Sequence, residues 1–266
     1  MKSLKQKHKI QLAIVAVIML VVLTGCSTAT ITDGSVPEGL FDYIVFPLSA
    51  MITFFTNLTG NGGIGIILST IVVRLIVLPL DIWSQMSTMK MSKIQPEIKK
   101  IQDKYPNYKS DPVQSQKLNM EMQAVYQRSG TSMLGGCLPM IVLMFVQLPL
   151  LSAFFYAIQR TEILQNPDFG TLFGVTLGVA QDGIFRWFAI ASIVTMLISL
   201  FIGLPKEQRN LNFKENPTAL TMMIMPIMML AILWNASAGL SLYWTTGNII
   251  TIIRTVIMNH IKSKSK

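Results

Sequence analysis

Apolar and polar positions fall in long blocks along this chain, and most of the apolar blocks have membrane length. They cover roughly residues 10–23, 62–83, 133–158, 184–204, 219–234 and 239–258. Crossing the hydrocarbon of a bilayer takes about 20 apolar residues in a helix. The first run is short for that, and the later ones predict five transmembrane helices. Pro139, Pro149 and Pro226 lie inside them, which neighbouring helices tolerate by re-satisfying the freed backbone. Residues 39–58 are also apolar but are interrupted by Asp42, Pro47 and Asn57. That pattern predicts an amphipathic helix lying at the outer interface, the second part of an extracellular segment 26–61. A sixth span is the alternative.

Between the first two spans, residues 84–131 are too long and too patterned for a plain loop. Ile94, Ile98, Ile101 and Tyr105 recur on one helical face, and Pro106 ends it. Asp111-Pro112 has the form of an N-cap followed by proline at the first helical position. Leu118, Met122 and Val125 make a second stripe, and Gly130 marks its end. The expectation is a cytoplasmic helical hairpin whose two stripes face each other. Its outside is basic, with Lys90, Lys93, Lys99, Lys100 and Lys104, and Met86, Met89 and Met91 lie at its root. Two readings stand: a docking arm for a ribosome, a targeting factor or a nascent chain, or a connector with solvated lysines.

Composition supports the membrane reading. Of 266 residues, 51% are hydrophobic and 13% charged, against about 25% charged in soluble domains. The net charge of +9 could suggest nucleic acid, but its distribution indicates topology. Residues 26–60 hold no Lys or Arg, whereas 84–131 hold the hairpin lysines with Lys109, Lys117 and Arg128. Residues 159–183 have Arg160 against Glu162, Asp168 and Asp182; the loop 205–218 has Lys206, Arg209 and Lys214; the tail 259–266 has Lys262, Lys264 and Lys266. Basic loops stay cytoplasmic. The chain is therefore expected to start outside, cross five times and end in the cytoplasm.

The N-terminus carries Lys2, Lys5, Lys7 and Lys9 before its apolar run, then "LTGC". This is the anatomy of a secretory signal, and Leu23-Thr24-Gly25-Cys26 resembles a bacterial lipobox. Residues 1–25 would be removed and the sulfur of Cys26 would take a diacylglycerol. An uncleaved anchor is the alternative. Cys26 and Cys137 form neither a disulfide framework nor a metal spacing. His8 and His260, near opposite ends of the chain, offer no catalytic pair.

The polar residues inside the spans are ordered. Thr70, Arg74, Asp81 and Gln85 lie on one stripe of the first span at about 100° per residue. Trp244, Asn248, Thr251 and Thr255 make another on the last, Gln147 adds an amide to the second, and Ser192, Thr195 and Ser199 align on the third. Arg74 cannot shed its proton. It lies roughly 14 Å along the helix from Trp83, about twice the reach of its side chain. Either it snorkels or pairs structurally, or it forms the wall of a hydrated groove. Other functions fit less well. A proton-coupled transporter places acids inside its spans, and here only Asp81 sits at an edge. Ser241 and His260 lie roughly 28 Å apart along a continuous helix, too far for a serine protease. A structural lipoprotein does not require a buried arginine.

Several stretches resemble the YidC/Oxa/Alb family of membrane-protein insertases. "KMSKIQPEIKKIQDKYPNYKSDPVQSQKLNMEMQAVYQRSG" is similar to its cytoplasmic hairpin and "GGCLPMIVLMFVQLPLLSAFFYAI" to its second core helix. "AGLSLYWTTGNIITIIRTVIM" is similar to the fifth, and "STIVVRLIVLPL" to the first, whose arginine falls on Arg74. A lipobox before five spans resembles the form found in Gram-positive bacteria. The resemblance implies an all-α five-helix transmembrane bundle around a hydrophilic groove, open to the cytoplasm and to lipid. It implies a protein that is not an enzyme and needs no nucleotide, metal or small-molecule substrate. Its substrates would be nascent membrane proteins, handled alone or with the Sec translocon and the ribosome. The expected groove residues are Arg74, Thr70, Gln147, Trp244, Asn248 and Thr251, and the expected location is the bacterial cell membrane.

Overall fold

The computed structural model describes residues 31, 36, 39, 41–108, 110–130, 141–179, 186–203 and 217–264. The signal segment with Cys26, Cys137, the start of the second expected span and most of the loop 205–218 lie outside them. The described chain is mostly helical, with one short β-hairpin and an isolated bridge between Ile31 and Thr161. Its elements divide into two units, Met1–Arg74 with Pro149–Lys266, and Leu75–Leu148.

In the first unit, α1 (Asp42–Thr59) buries Asp42, Val45, Leu48, Ser49, Ile52 and Thr56, every third or fourth residue. It stops at Gly60, whose φ of 68° lies in the left-handed region that glycine enters without a Cβ clash. The next helix, α2 (Gly62–Lys104), starts against α1 at Gly65. A Cβ there would meet the Ile52 carbonyl at 3.0 Å and the Thr56 amide nitrogen at 3.1 Å. The sequence divides this stretch at residue 83 into a span and a hairpin arm, but α2 is one helix of 43 residues. Polarity changes there while helix propensity does not, since residues 84–95 hold no glycine or proline.

A π-helical turn, Leu143–Gln147, leads into α4 (Leu148–Arg160). This helix runs beyond the expected boundary at 158, so Arg160 belongs to its last turn rather than to a loop. The segment after it is not featureless either. It forms a short 3-10 turn, Glu162–Leu164, and an antiparallel pair of β1 (Thr171–Leu172) and β2 (Val175–Thr176). The segment receives hydrogen bonds from two helix starts. Gly62 N–H donates to the Phe169 carbonyl at 2.7 Å, and Gly239 N–H donates to the Leu177 carbonyl at 3.0 Å. Amides at helix starts have no partner inside the helix, which is why this loop can close them.

The remaining helices are α5 (Trp187–Gly203), α6 (Pro217–Trp234) and α7 (Ala238–Lys264). In the core of this unit Ile52, Ile66, Phe154, Ile158, Leu233 and Tyr243 are fully buried. Large apolar side chains also remain exposed on its helices, among them Ile190, Val194, Phe201, Ile227 and Ile253. Water does not reward such faces, whereas lipid does. Among the described residues two helices are long and apolar enough to cross a membrane, Gly62–Met91 and Leu143–Arg160; Trp187–Gly203 is apolar but one residue shorter than the 18-residue Leu143–Arg160.

In the second unit the hairpin partner is α3 (Pro112–Arg128). Asp111 caps it as the sequence predicts, its carboxylate accepting from the Val113 amide at 2.8 Å. Ile94 and Ile98 pack with Val125 and Tyr126, and Met91, Ile101 and Met122 pack against them. Ile94, Ile98 and Ile101 of the first expected stripe and Met122 and Val125 of the second are in that core.

Candidate functional site

Arg74 closes the first unit's share of α2 and is partly exposed. Its guanidinium carbon lies 5.9 Å from the ring centroid of Tyr243 on α7. That ring is almost completely buried and stacks on Phe154 of α4, with centroids 4.3 Å apart and planes 22° from parallel. A cation over an aromatic face gains about 0.5–2 kcal/mol, more where water is excluded. One turn further along α7, Gly247 leaves the guanidinium room: a Cβ there would stand 2.7 Å from Arg74 Nη2. The arginine is thus held by the ring of Tyr243 and the bare backbone of Gly247. Neither Tyr243 nor Gly247 stands out as a site residue in the sequence. Their i, i+4 spacing, with Tyr243 in the Leu-Tyr-Trp run and Gly247 three residues after it, was the available signal.

The other expected groove residues separate. Thr70 is fully buried and donates to the Ile66 carbonyl of its own helix at 2.7 Å. Thr251 likewise donates to the Gly247 carbonyl at 2.9 Å. Asn248 turns toward α5, its amide donating to the Ser192 carbonyl at 3.0 Å and to Thr195 Oγ1 at 3.2 Å. Ser192 in turn donates to the Ser241 carbonyl at 2.7 Å and meets the Thr245 hydroxyl at 2.8 Å. The small polar residues of α5 and α7 therefore join the two helices. Trp244 faces elsewhere. With Leu151, Phe155, Met229, Ile232 and Leu240 it lines a mostly apolar cavity of about 430 Å³ between α4, α6 and α7. Its indole N–H is buried there without a hydrogen-bond partner among the described residues. Gln147 belongs to the second unit, where its amide donates to Asp81 at 2.9 Å.

A further polar cluster sits where α1 meets the end of α4. Arg160 pairs with Asp42 at 2.6 Å, both side chains 7% exposed, and the hydroxyls of Ser49 and Thr161 meet at 2.6 Å. Ile31 joins the same place, its N–H donating to the Arg160 carbonyl at 2.7 Å.

On the hairpin, Lys90, Lys93, Lys99, Lys100 and Lys104 are all exposed. Lys104 is engaged: it pairs with Glu121 at 2.6 Å, and Tyr105 donates to the same carboxylate at 2.8 Å. The Lys104 hydrogen bond, then that of Tyr105, holds the Glu121 carboxyl below its ordinary value, and the same bond raises Lys104. The other four make no ion pair among the described residues.

A sequence profile of the 60Kd inner membrane protein family matches residues 54–266. The chain is 35% identical over 255 residues to membrane protein insertase YidC 2 of Bacillus anthracis, covering 95% of this chain and 94% of that one. It is 36% identical over 259 residues to membrane protein insertase MisCA of Bacillus subtilis, covering 96% and 92%. Its fold is similar to the crystal structure of an active YidC insertase whose first transmembrane domain is resolved, with a TM-score of 0.58 and 24% identity. That match takes in 82% of this chain but only 47% of the solved one, so the chain spans about half its length.

Proposed function

We propose how this chain, which belongs to the 60Kd inner membrane protein family and acts as a membrane insertase, moves its substrates. The observation that carries the reading is Arg74, a permanent cation within the apolar stretch Gly62–Met91, partly exposed and backed by the Tyr243 ring. Five spans form a bundle around a hydrated groove open to the cytoplasm and to lipid, and Arg74 charges its wall. A charge at the bilayer centre costs from about 2.5 to over 10 kcal/mol depending on method. Water and a resident cation lower that cost for acidic residues in the translocating tail of a nascent membrane protein. Low surrounding dielectric strengthens the attraction. The tail dwells beside Arg74 while the hydrophobic segment passes the apolar cavity at Leu151, Phe155, Met229 and Trp244 into lipid. No bond is made or broken.

The remaining parts serve delivery and anchoring. The exposed lysines Lys90, Lys93, Lys99 and Lys100 dock the hairpin to the ribosome or the Sec translocon. Cys26 carries a diacylglycerol outside the cell membrane, and the C-terminus is cytoplasmic. The test is an insertion assay in a strain lacking any second insertase. Arg74→Lys keeps a cation and should retain most activity. Arg74→Ala should fail chiefly on acidic-tailed substrates, and neutralising those tails should reduce the dependence. Normal insertion of acidic-tailed substrates by Arg74→Ala would overturn the charge mechanism.

A further inference from the structure

We propose that Gly247 is a positioning residue for the insertion step: its missing side chain is the seat in which the Arg74 guanidinium rests against α7. This rests on the reading that the Arg74 charge acts on substrate tails. Gly247 is buried in the middle of α7, with no left-handed backbone to explain it. Glycine is the poorest helix former after proline, so a glycine here needs another reason.

The reason is what a side chain would meet. A Cβ at 247 would stand 2.7 Å from Arg74 Nη2, 3.2 Å from Nε and 3.3 Å from Cζ. These are its three nearest neighbours, and all belong to one guanidinium. By contrast, a Cβ at Gly239 would meet the Leu177 carbonyl at 2.8 Å as well as Ile158 Cγ2 at 2.7 Å, and one at Gly65 would meet the Ile52 carbonyl at 3.0 Å as well as the Thr56 hydroxyl. Those two glycines admit backbone together with a side chain. Gly247 admits the mobile end of a long side chain, so alanine there would leave the helices in place and displace the charge. Tyr243, one turn earlier, supplies the ring against which the guanidinium rests, and the Phe154 stack fixes that ring.

The test uses the full chain in a strain lacking a second insertase, with one single-span substrate carrying either an acidic or a neutral tail. Gly247→Ala should give normal membrane levels and a thermal midpoint in detergent no lower than wild type. Its insertion of the acidic-tailed substrate should fall at least about twofold, as for contacting residues that couple. Insertion of the neutral-tailed substrate should not change. In an Arg74→Ala background Gly247→Ala should add nothing.

Equal loss on both tails, or the same loss with Arg74→Ala present, would mark a helix-packing defect and overturn the seat. If Gly247→Ala is silent while Arg74→Ala fails on acidic tails, the seat alone is wrong. If Arg74→Ala is itself silent, the charge mechanism falls and takes the seat with it. Should Gly247→Ala fold poorly, Arg74→Lys keeps the question open to decision. Its ammonium lacks the forked nitrogen that the new Cβ strikes, so the double variant should recover folding and insertion. Failure to recover would overturn the proposal.

Discussion

Asp42 and Arg160 show how much a single pair of residues can decide in this chain. Both are charged, both are buried, and they are 118 positions apart. In the sequence one reads as an interruption of an apolar run and the other as the lone base of an outer loop. Paired, they fasten α1 to the end of α4, beside the Ser49–Thr161 contact. Removing one partner of a buried pair leaves an uncompensated charge, at a cost of about 3–5 kcal/mol. Asp42→Ala should therefore lower the thermal midpoint in detergent substantially. Replacing both residues with apolar ones, Asp42→Leu with Arg160→Met, should recover most of it, since such swaps are often neutral. An undiminished midpoint in Asp42→Ala would show that the pair does not fasten α1. Arg74 is the opposite case, a cation kept partly exposed and set against an aromatic face.

At the scale of elements, the hairpin was the most legible part of the sequence. Its apolar stripes, the Pro106 stop, the Asp111 cap and the Gly130 end are local signals, and local signals survive folding. What the stripes do not contain is the choice of polar partners across the two arms. Glu121 takes both Lys104 and Tyr105, and Arg128 takes Glu97 at 2.8 Å. Because the folded Glu121 carboxyl is held below its ordinary 4.5, its contribution is fully present above that value and is lost as pH falls through the lower folded one. Lys104 works in the other direction, present below its ordinary 10.5 and lost as pH rises through its raised folded value. Protection factors of the hairpin amides, corrected for the intrinsic pH dependence of exchange, should then be even through the neutral range and fall in acid below the carboxylate range. Glu121→Gln should remove the acid step. An acid step of the same size in that variant would assign it to other groups. The polar stripe of α7 divides its partners: Asn248 bonds α5, Thr251 bonds its own helix and Trp244 lines a cavity.

For the whole molecule, the arrangement of charge along the sequence proposes an outside start and a cytoplasmic end. Ile31 is held by the Arg160 carbonyl at the C-terminal end of α4. Five residues reach at most about 18 Å, so a lipid on Cys26 would enter the bilayer close to that end. Mass spectrometry of the mature protein should show residues 1–25 removed and a diacylglycerol added at Cys26. A full-length N-terminus would overturn this. Because the membrane helices already hold the protein, Cys26→Ala should alter processing more than membrane residence.

By itself the sequence determined the helical class, the apolar membrane helices, the hairpin with its caps, and Arg74 as the residue needing explanation. Each is written in local composition or in a period of a few residues. Only the tertiary structure decided that Tyr243 and Gly247 hold Arg74, that Asp42 meets Arg160, that Asn248 serves α5 and that the segment after α4 closes two helix starts. Helical periodicity says which face of a helix is polar. It does not say which helix that face meets, because any neighbour presenting a complementary group across the gap satisfies the same hydrogen bonds.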